Sequence, residues 1–460
     1  MLIVKYKSNT AELQYSLDII LKEFLGLDYQ FQKEPVEYIE ISQPNEKKKL
    51  TLNADFFNII EKHWLSPKSM PVTPLKQWQV KNDLQAVNLV EPSIPIIYGK
   101  SGFKQIDKNH WHLGLDIFGS SFFMLSRYEE AITLERDNHD RFPATASIAY
   151  EAKFLDRPIV DEYVEILWSV IKIIWSNLER KKRISKTFIS CDVDAPYSPA
   201  TKSWFYASRQ IGGDLLRRKN IKLAATSLLN TIVSRLGNYS FESYDTFEWI
   251  MDVNEQVGNE VTFFFIADHS GGVIDGCYSL KESRIQALMQ KMHGRGHQIG
   301  LHGSYNTYQN AEQIQKETSI LENRMKDLKI KQASIGCRQH YLRWKTPDTA
   351  AHLDNAGFCY DTSLSFADSA GFRCGTSHEY KMYDLNNRKK LSLKQRPLIV
   401  MECSIIASRY MGLGYSKEAM NIFLKYKNRC KQFNGNFSLL WHNSHFSAKQ
   451  DKAFYKELIK

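Results

Sequence analysis

Two carboxylates one residue apart, Asp192 and Asp194, follow the short apolar run Thr187-Phe188-Ile189. A strand alternates its faces, so the pair points the same way. Like charges side by side repel, and the usual resolution is that one binds a cation while the other keeps a lone pair for proton transfer. Downstream, His302, Arg338, Asp361, Glu402 and His442 each close a further short apolar run. Asp194 and His302 offer an oxygen and a nitrogen to a divalent metal. Asn306 lies four residues past His302 and shares its face if a helical turn begins there. Two protein ligands and a weaker third leave positions open, as catalytic zinc requires. Asp192 is then placed to take a proton from water, with Arg338 holding it ionised, and His442 is the natural acid for a leaving amine. Against this stands the plain alternative that D-x-D also occurs in solvated turns and that each polar residue could be a satisfied structural group.

The elements that must position these residues recur with one rhythm: apolar strand, polar residue at its end, loop, helix. Expected strands are Thr187 to Ile189, Val261 to Ala267, His297 to Leu301, Ala333 to Cys337, Phe358 to Tyr360, Leu398 to Met401 and Phe437 to Trp441. The helix after the second carries Ile285, Leu288, Met289 and Met292, and the next carries Ile314, Thr318, Leu321, Met325 and Leu328 on one stripe. The alternation predicts parallel strands with crossover helices, and seven or so units closing into a barrel. All the polar residues named then sit at the carboxyl ends of their strands, on one mouth.

The rest of the chain is bounded by its totals. A length of 460 residues exceeds one ordinary core, and 43% hydrophobic content fits a globular protein. Residues 1–185 read as a separate α/β domain and 186–460 as the barrel, interrupted at about 200–245 by an amphipathic helical insertion rich in Lys, Arg and Leu. In the first part Tyr38 to Ile41 and Ile94 to Tyr98 look like strands and Ala11 to Leu21 like a helix, with a long helix from Pro158 to Leu178 closing the domain. Asp116 to Glu130 and the loop Asp137 to Pro143 are either a substrate-gripping surface or charge pairing between domains, the second being favoured. The net charge is +10, but the bases are spread among 51 acids, which argues against nucleic acid as partner. Seven cysteines without C-x-x-C spacing indicate neither disulfide framework nor zinc ribbon, and those at Cys191, Cys337, Cys359 and Cys403 read as core packing. With no signal-like start and no apolar run of membrane-spanning length, the chain is expected to be cytoplasmic without an integral membrane segment, and the amphipathic stretch Tyr163 to Leu178 leaves surface association open. Oligomeric state is not legible.

With these residues in order, the part from about 187 to 446 resembles the polysaccharide deacetylases, the NodB-homology carbohydrate esterases. The resemblance rests on Asp192-Val193-Asp194, His302-Gly303-Ser304-Tyr305-Asn306, Gly336-Cys337-Arg338-Gln339-His340-Tyr341, Tyr360-Asp361-Thr362-Ser363 and Leu440-Trp441-His442. It implies a distorted parallel (β/α) barrel and metal-dependent removal of N-acetyl groups from a sugar or glycan, in the assembly of a cell-surface polysaccharide. It further implies Asp192 as base, Asp194 and His302 as metal ligands, Arg338 and Asp361 lining the groove, His442 as catalytic histidine, and an oxyanion held by metal and a backbone amide. Two departures matter. Asn306 stands where the family commonly has a second His, so the metal, most simply zinc, could be cobalt or nickel, or His269 could substitute. The D-x-D spacing is the rarer form and also occurs in relatives that open cyclic amides. Alternatives are therefore a cyclic-amide carbon-nitrogen hydrolase or a glycan-binding protein without activity. Tyr341 and Trp344 either stack on sugar rings or form a structural lip.

Overall fold

The computed structural model describes residues 1–460 except 202, 217–220, 237–241 and 447–448. Two sheets organise it. The first is built from β1 (Leu2–Tyr6), β2 (Tyr29–Lys33), β3 (Ile39–Ser42) and β4 (Lys49–Leu52). After the small hairpin β5 (Gln77–Gln79) and β6 (Ser93–Pro95), β7 (Gly99–Asp107) and β8 (His110–Leu115) complete it in the order β2-β1-β3-β4-β8-β7. Parallel β1 and β2 need a crossover, which the helical stretch from Ala11 to Leu25 supplies.

The second sheet carries β9 (Thr187–Val193), β10 (Val261–Ile266), β11 (Gln298–Gly303), β12 (Gly336–Gln339), β13 (Tyr360–Asp361), β14 (Tyr380–Asp384), β15 (Lys389–Gln395), β16 (Val400–Met401) and β17 (Phe437–Leu440). Its order is β14-β15-β13-β12-β11-β10-β9-β17-β16, and every neighbouring pair is parallel except β14 and β15. All six residues of β10 are buried, as a strand covered on both faces requires. The expected helical stripes hold: Ile285, Leu288, Met289 and Met292 are buried in Ser283–Gly294, and Ile314, Thr318, Leu321 and Met325 in Ala311–Asp327.

The expected closure into a barrel is not seen. Among the described residues the sheet ends at β14 and β16, which share no ladder, so the strands form an open series. The hairpin β14–β15 was not among the expected strands. In β15, Lys-Lys-Leu-Ser-Leu-Lys-Gln, exposed and buried residues alternate, so it has the period of a strand with one solvated face, without the apolar run that marks a strand covered on both.

The segment from Asp116 to Glu130 serves structure. Asp116 caps the helix Ile117–Leu125, accepting from Gly119 N at 2.8 Å and from Phe56 N at 2.9 Å. Arg127 pairs with Glu129 at 2.7 Å and with Glu130 at 2.9 Å, and Glu130 is held from the far half of the chain by Arg373 at 2.8 Å. All four are buried. This is the charge pairing expected between the two halves. The long helix spans Ile159–Ile174, and its apolar face, including Tyr163, Leu167 and Ile171, lies in the core. Among the described residues no helix is long and apolar enough to cross a membrane.

Candidate metal centre and catalytic cavity

The parallel strands deliver their ends to one place. Asp192, Asp194, His302, His340 and His442 line a cavity of about 290 Å³, joined by Arg141 from the loop before the long helix. Register explains the convergence, since His302 lies opposite both Ile266 of β10 and Arg338 of β12.

Each imidazole is fixed by what its Nδ1 meets. His302 Nδ1 lies 2.9 Å from the carbonyl oxygen of Arg338, which can only accept, so Nδ1 carries the proton and Nε2 a free lone pair. His340 Nδ1 donates to Asp275 Oδ1 at 2.7 Å, again freeing Nε2. Asp275 is itself held, accepting from Tyr305 N at 2.7 Å and Gly271 N at 2.6 Å. Both free Nε2 atoms face Asp194 Oδ1, at 3.2 Å from His302 and 3.7 Å from His340. That oxygen is buried and has no hydrogen-bond partner. Three lone pairs, one oxygen and two nitrogens within 4.8 Å of one another, thus face a common point. The donor set, with both histidines oriented from behind, fits a divalent cation of the borderline class.

The electrostatics agree. Burial opposes ionisation of Asp194, but the imidazoles of His340, His302 and His442 outweigh it and hold its carboxyl well below the usual carboxylate range. Burial would lower His340, yet Asp194 and Asp275 draw it up to about 9. His442 likewise resists burial and is drawn up to about 10 by Glu402 and Asp194. Without an ion His340 Nε2 therefore holds a proton at neutral pH, which a cation binding its lone pair would displace.

Beside this group, Asp192 is buried and its Oδ1 accepts from Arg338 Nη1 at 3.0 Å, while its Oδ2 lies 3.6 Å from His302 Nε2. Arg338 is anchored independently, donating from Nε to Thr362 O and from Nη2 to Thr362 Oγ1, each at 3.1 Å. Across the cavity His442 Nε2 lies 3.6 Å from Asp194 Oδ2, and its Nδ1 donates to Glu402 Oε1 at 2.5 Å. Glu402, with Cys403, His442 and His445, forms a second group of potential ligands. Here Glu402 Oε1 accepts directly from both histidines, at 2.5 and 2.8 Å, while its Oε2 is buried without a hydrogen-bond partner.

Several expected placements change. Asn306 is not with the metal ligands: its Nδ2 donates to Ser270 O at 2.8 Å and its Oδ1 accepts from Arg343 at 3.2 Å. The expectation needed a helical turn starting at His302, but β11 continues through Gly303 and the turn comes only at Thr307–Gln309. His340 stands with Asp194 and His302 instead. It follows Arg338 by two residues, so extended backbone turns both toward the same mouth, and that spacing was the available signal. His269 is not in the group either. Asp361 is fully buried, accepting from Ser363 N at 2.7 Å and Ser363 Oγ at 2.5 Å, and it does not line the cavity. Burial pushes it up to about 6 against those bonds, and it supports the strand end behind Arg338. Trp344 is buried with its Nε1 donating to Thr346 Oγ1, leaving Tyr341 alone of the two at the cavity. Cys359 is exposed, whereas Cys191, Cys337 and Cys403 are buried.

A family described as "Family of unknown function (DUF7033)" matches residues 1–176. No curated protein matches the chain. Among solved structures, a protein assigned as a polysaccharide deacetylase from Mycobacterium smegmatis aligns with 61% of this chain and 84% of its own, at 14% identity and a TM-score of 0.39. Puue allantoinase aligns with 48% of this chain and 69% of its own, at 17% identity and a TM-score of 0.31.

Proposed function

We propose that the chain is a metal-dependent hydrolase of an amide carbon-nitrogen bond, acting on an N-acetylated sugar or glycan. The observation that carries this reading is the buried, unpartnered Asp194 Oδ1 facing the free Nε2 atoms of His302 and His340, with a separately anchored carboxylate on one side and an imidazole on the other. A divalent ion held by those three residues, most simply zinc, would supply Lewis-acid activation of a carbonyl and of water.

The chain's own residues divide the proton work. Asp192, kept in place by Arg338, takes the proton from the attacking water. His442, oriented by Glu402 and charged through it, gives a proton from Nε2 to the departing nitrogen. Tyr341, Tyr410 and Arg141 at the rim offer ring faces and a hydrogen-bond donor suited to a sugar. In this reading residues 1–185 form a separate unit that lends Arg141 to the cavity, and residues from 186 form the catalytic part. A second reading, ring opening of a small cyclic amide, is favoured by one feature: the cavity, at about 290 Å³, lies at the small end for ligand sites.

The test is release of acetate from N-acetylated hexosamines and their oligomers, against ring opening of cyclic amides, before and after chelation and after addition of zinc, cobalt or nickel. Metal-dependent acetate release is expected. In the same assay Glu402→Gln is expected to turn over about a hundredfold more slowly with its metal content unchanged, because the amide cannot fix His442 as a charged donor. Turnover equal to the wild type would remove the His442–Glu402 pair from the mechanism.

A further inference from the structure

The helices Trp204–Leu216 and Ile221–Arg235 form a hairpin that is inverted with respect to polarity. In the second helix Ser227, Asn230, Thr231 and Ser234 are buried, while Ile221, Leu228, Leu229 and Ile232 are exposed, followed by Leu236 just beyond. Those apolar positions fall on one stripe of a helix. The buried side is knit by polar bonds: Ser198 Oγ donates to Gln210 Oε1 at 2.8 Å, Gln210 Nε2 to Ser227 Oγ at 3.3 Å, and Ser227 Oγ to Asp214 Oδ2 at 2.8 Å. In the first helix Trp204 is 58% exposed and Leu216 80%. Of the twenty exposed large apolar side chains among the described residues, nine lie between 204 and 236. A stripe of that size is not left to water without a reason.

The charge says what covers it. Residues 202–236 contain seven Lys and Arg against one acid, Asp214, and that acid is turned inward. Arg235 lies over the Trp204 ring at 4.3 Å, so base and aromatic share one face. Two copies of the hairpin brought together would stack like charges. Exposed Leu and Ile, an aromatic pair at Trp204 and Phe205, and a basic surround match the boundary between hydrocarbon and anionic headgroups.

We propose that this hairpin docks the chain onto an anionic lipid surface. The docking surface does not depend on the chemistry at the cavity. The hairpin's feet stand at the cavity rim: Asn443, next to His442, donates from Nδ2 to the carbonyls of Ala195 and Tyr244, each at 2.9 Å, and Ala195 lines the cavity.

The experiment is sedimentation of the full chain with vesicles of phosphatidylcholine alone or mixed with phosphatidylglycerol, alongside light scattering without lipid. Binding to the mixed vesicles, weakened by salt, is expected. Arg209→Glu with Lys222→Glu, both exposed, is expected to weaken it about tenfold or more. Leu228→Ser with Ile232→Ser is expected to abolish it while circular dichroism and cavity metal content stay unchanged. Absence of the wild-type chain from the mixed-vesicle pellet overturns the proposal, as does binding untouched by either double variant. A dimer in light scattering that Leu228→Ser with Ile232→Ser splits would also overturn it, assigning the face to a second copy.

Discussion

Asp192→Asn is expected to lower turnover by about three orders of magnitude while leaving metal content at the wild-type level. Asparagine keeps the shape of the side chain and an oxygen for Arg338 Nη1, now 3.0 Å from Asp192 Oδ1. It cannot take a proton. Arg338 remains anchored by both contacts to Thr362, so loss of the carboxylate does not release it into the cavity. Asp192 is not among the three residues whose lone pairs converge, which is why metal and turnover separate in this variant. The measurement is kcat for amide hydrolysis beside metal content on the same preparation. Wild-type kcat would exclude Asp192 as base, and joint loss of metal and turnover would make it a ligand.

The largest effect on stability is expected at Arg373. Arg373→Ala should destabilise the fold by about 3 kcal/mol, because it takes one of two guanidiniums, and two hydrogen bonds, from a buried carboxylate. Glu130 accepts from Arg373 Nε at 2.8 Å and Nη2 at 2.9 Å, and from Arg127 at 2.9 Å. Burial alone would raise its carboxyl, but the two guanidiniums hold it down at about 2. A depressed carboxylate contributes stability above its unfolded value and loses it as the pH falls, so this contribution fades from the ordinary carboxylate range down through about 2. Urea unfolding at neutral pH measures the cost. Lys316→Ala, which removes an exposed partner of Asp268, is the contrast and should leave the midpoint nearly unchanged. Equal midpoints for the two variants would show that the cluster joining the halves of the chain contributes no more than a surface pair.

The strands ending at Asp194, His302, Arg338 and His442 were legible because a parallel central strand is an apolar run and its carboxyl end is where a polar residue interrupts it. β15 escaped because, although paired on both sides, it leaves one face exposed, and such a strand shows alternation, with Lys389 and Lys390 at its start, rather than a run. Asn306 was misplaced through local geometry: a spacing of four residues implies a shared face only inside a helix, and the backbone after His302 is still extended. His340 stands within the same stretch as Arg338, and the two-residue period that unites Asp192 with Asp194 applies equally to Arg338 and His340. Glu402 was visible at a strand end, but its role depends on meeting His442 from a strand 40 residues away, which no local pattern encodes. The insertion at about 200–245 was recognised as amphipathic. That its apolar side faces outward follows only from the polar bonds closing its interior.

The central claim is that Asp194, His302 and His340 hold a divalent ion and Asn306 does not. Metal content of the chain purified without chelator or affinity metal, compared with Asp194→Ala, His340→Ala and Asn306→Ala, addresses it without a guess about substrate. About one ion per chain is expected in the wild type and in Asn306→Ala, with loss in the other two. Retention in His340→Ala together with loss in Asn306→Ala, or no metal in the wild type even after zinc, cobalt or nickel is supplied, would contradict it.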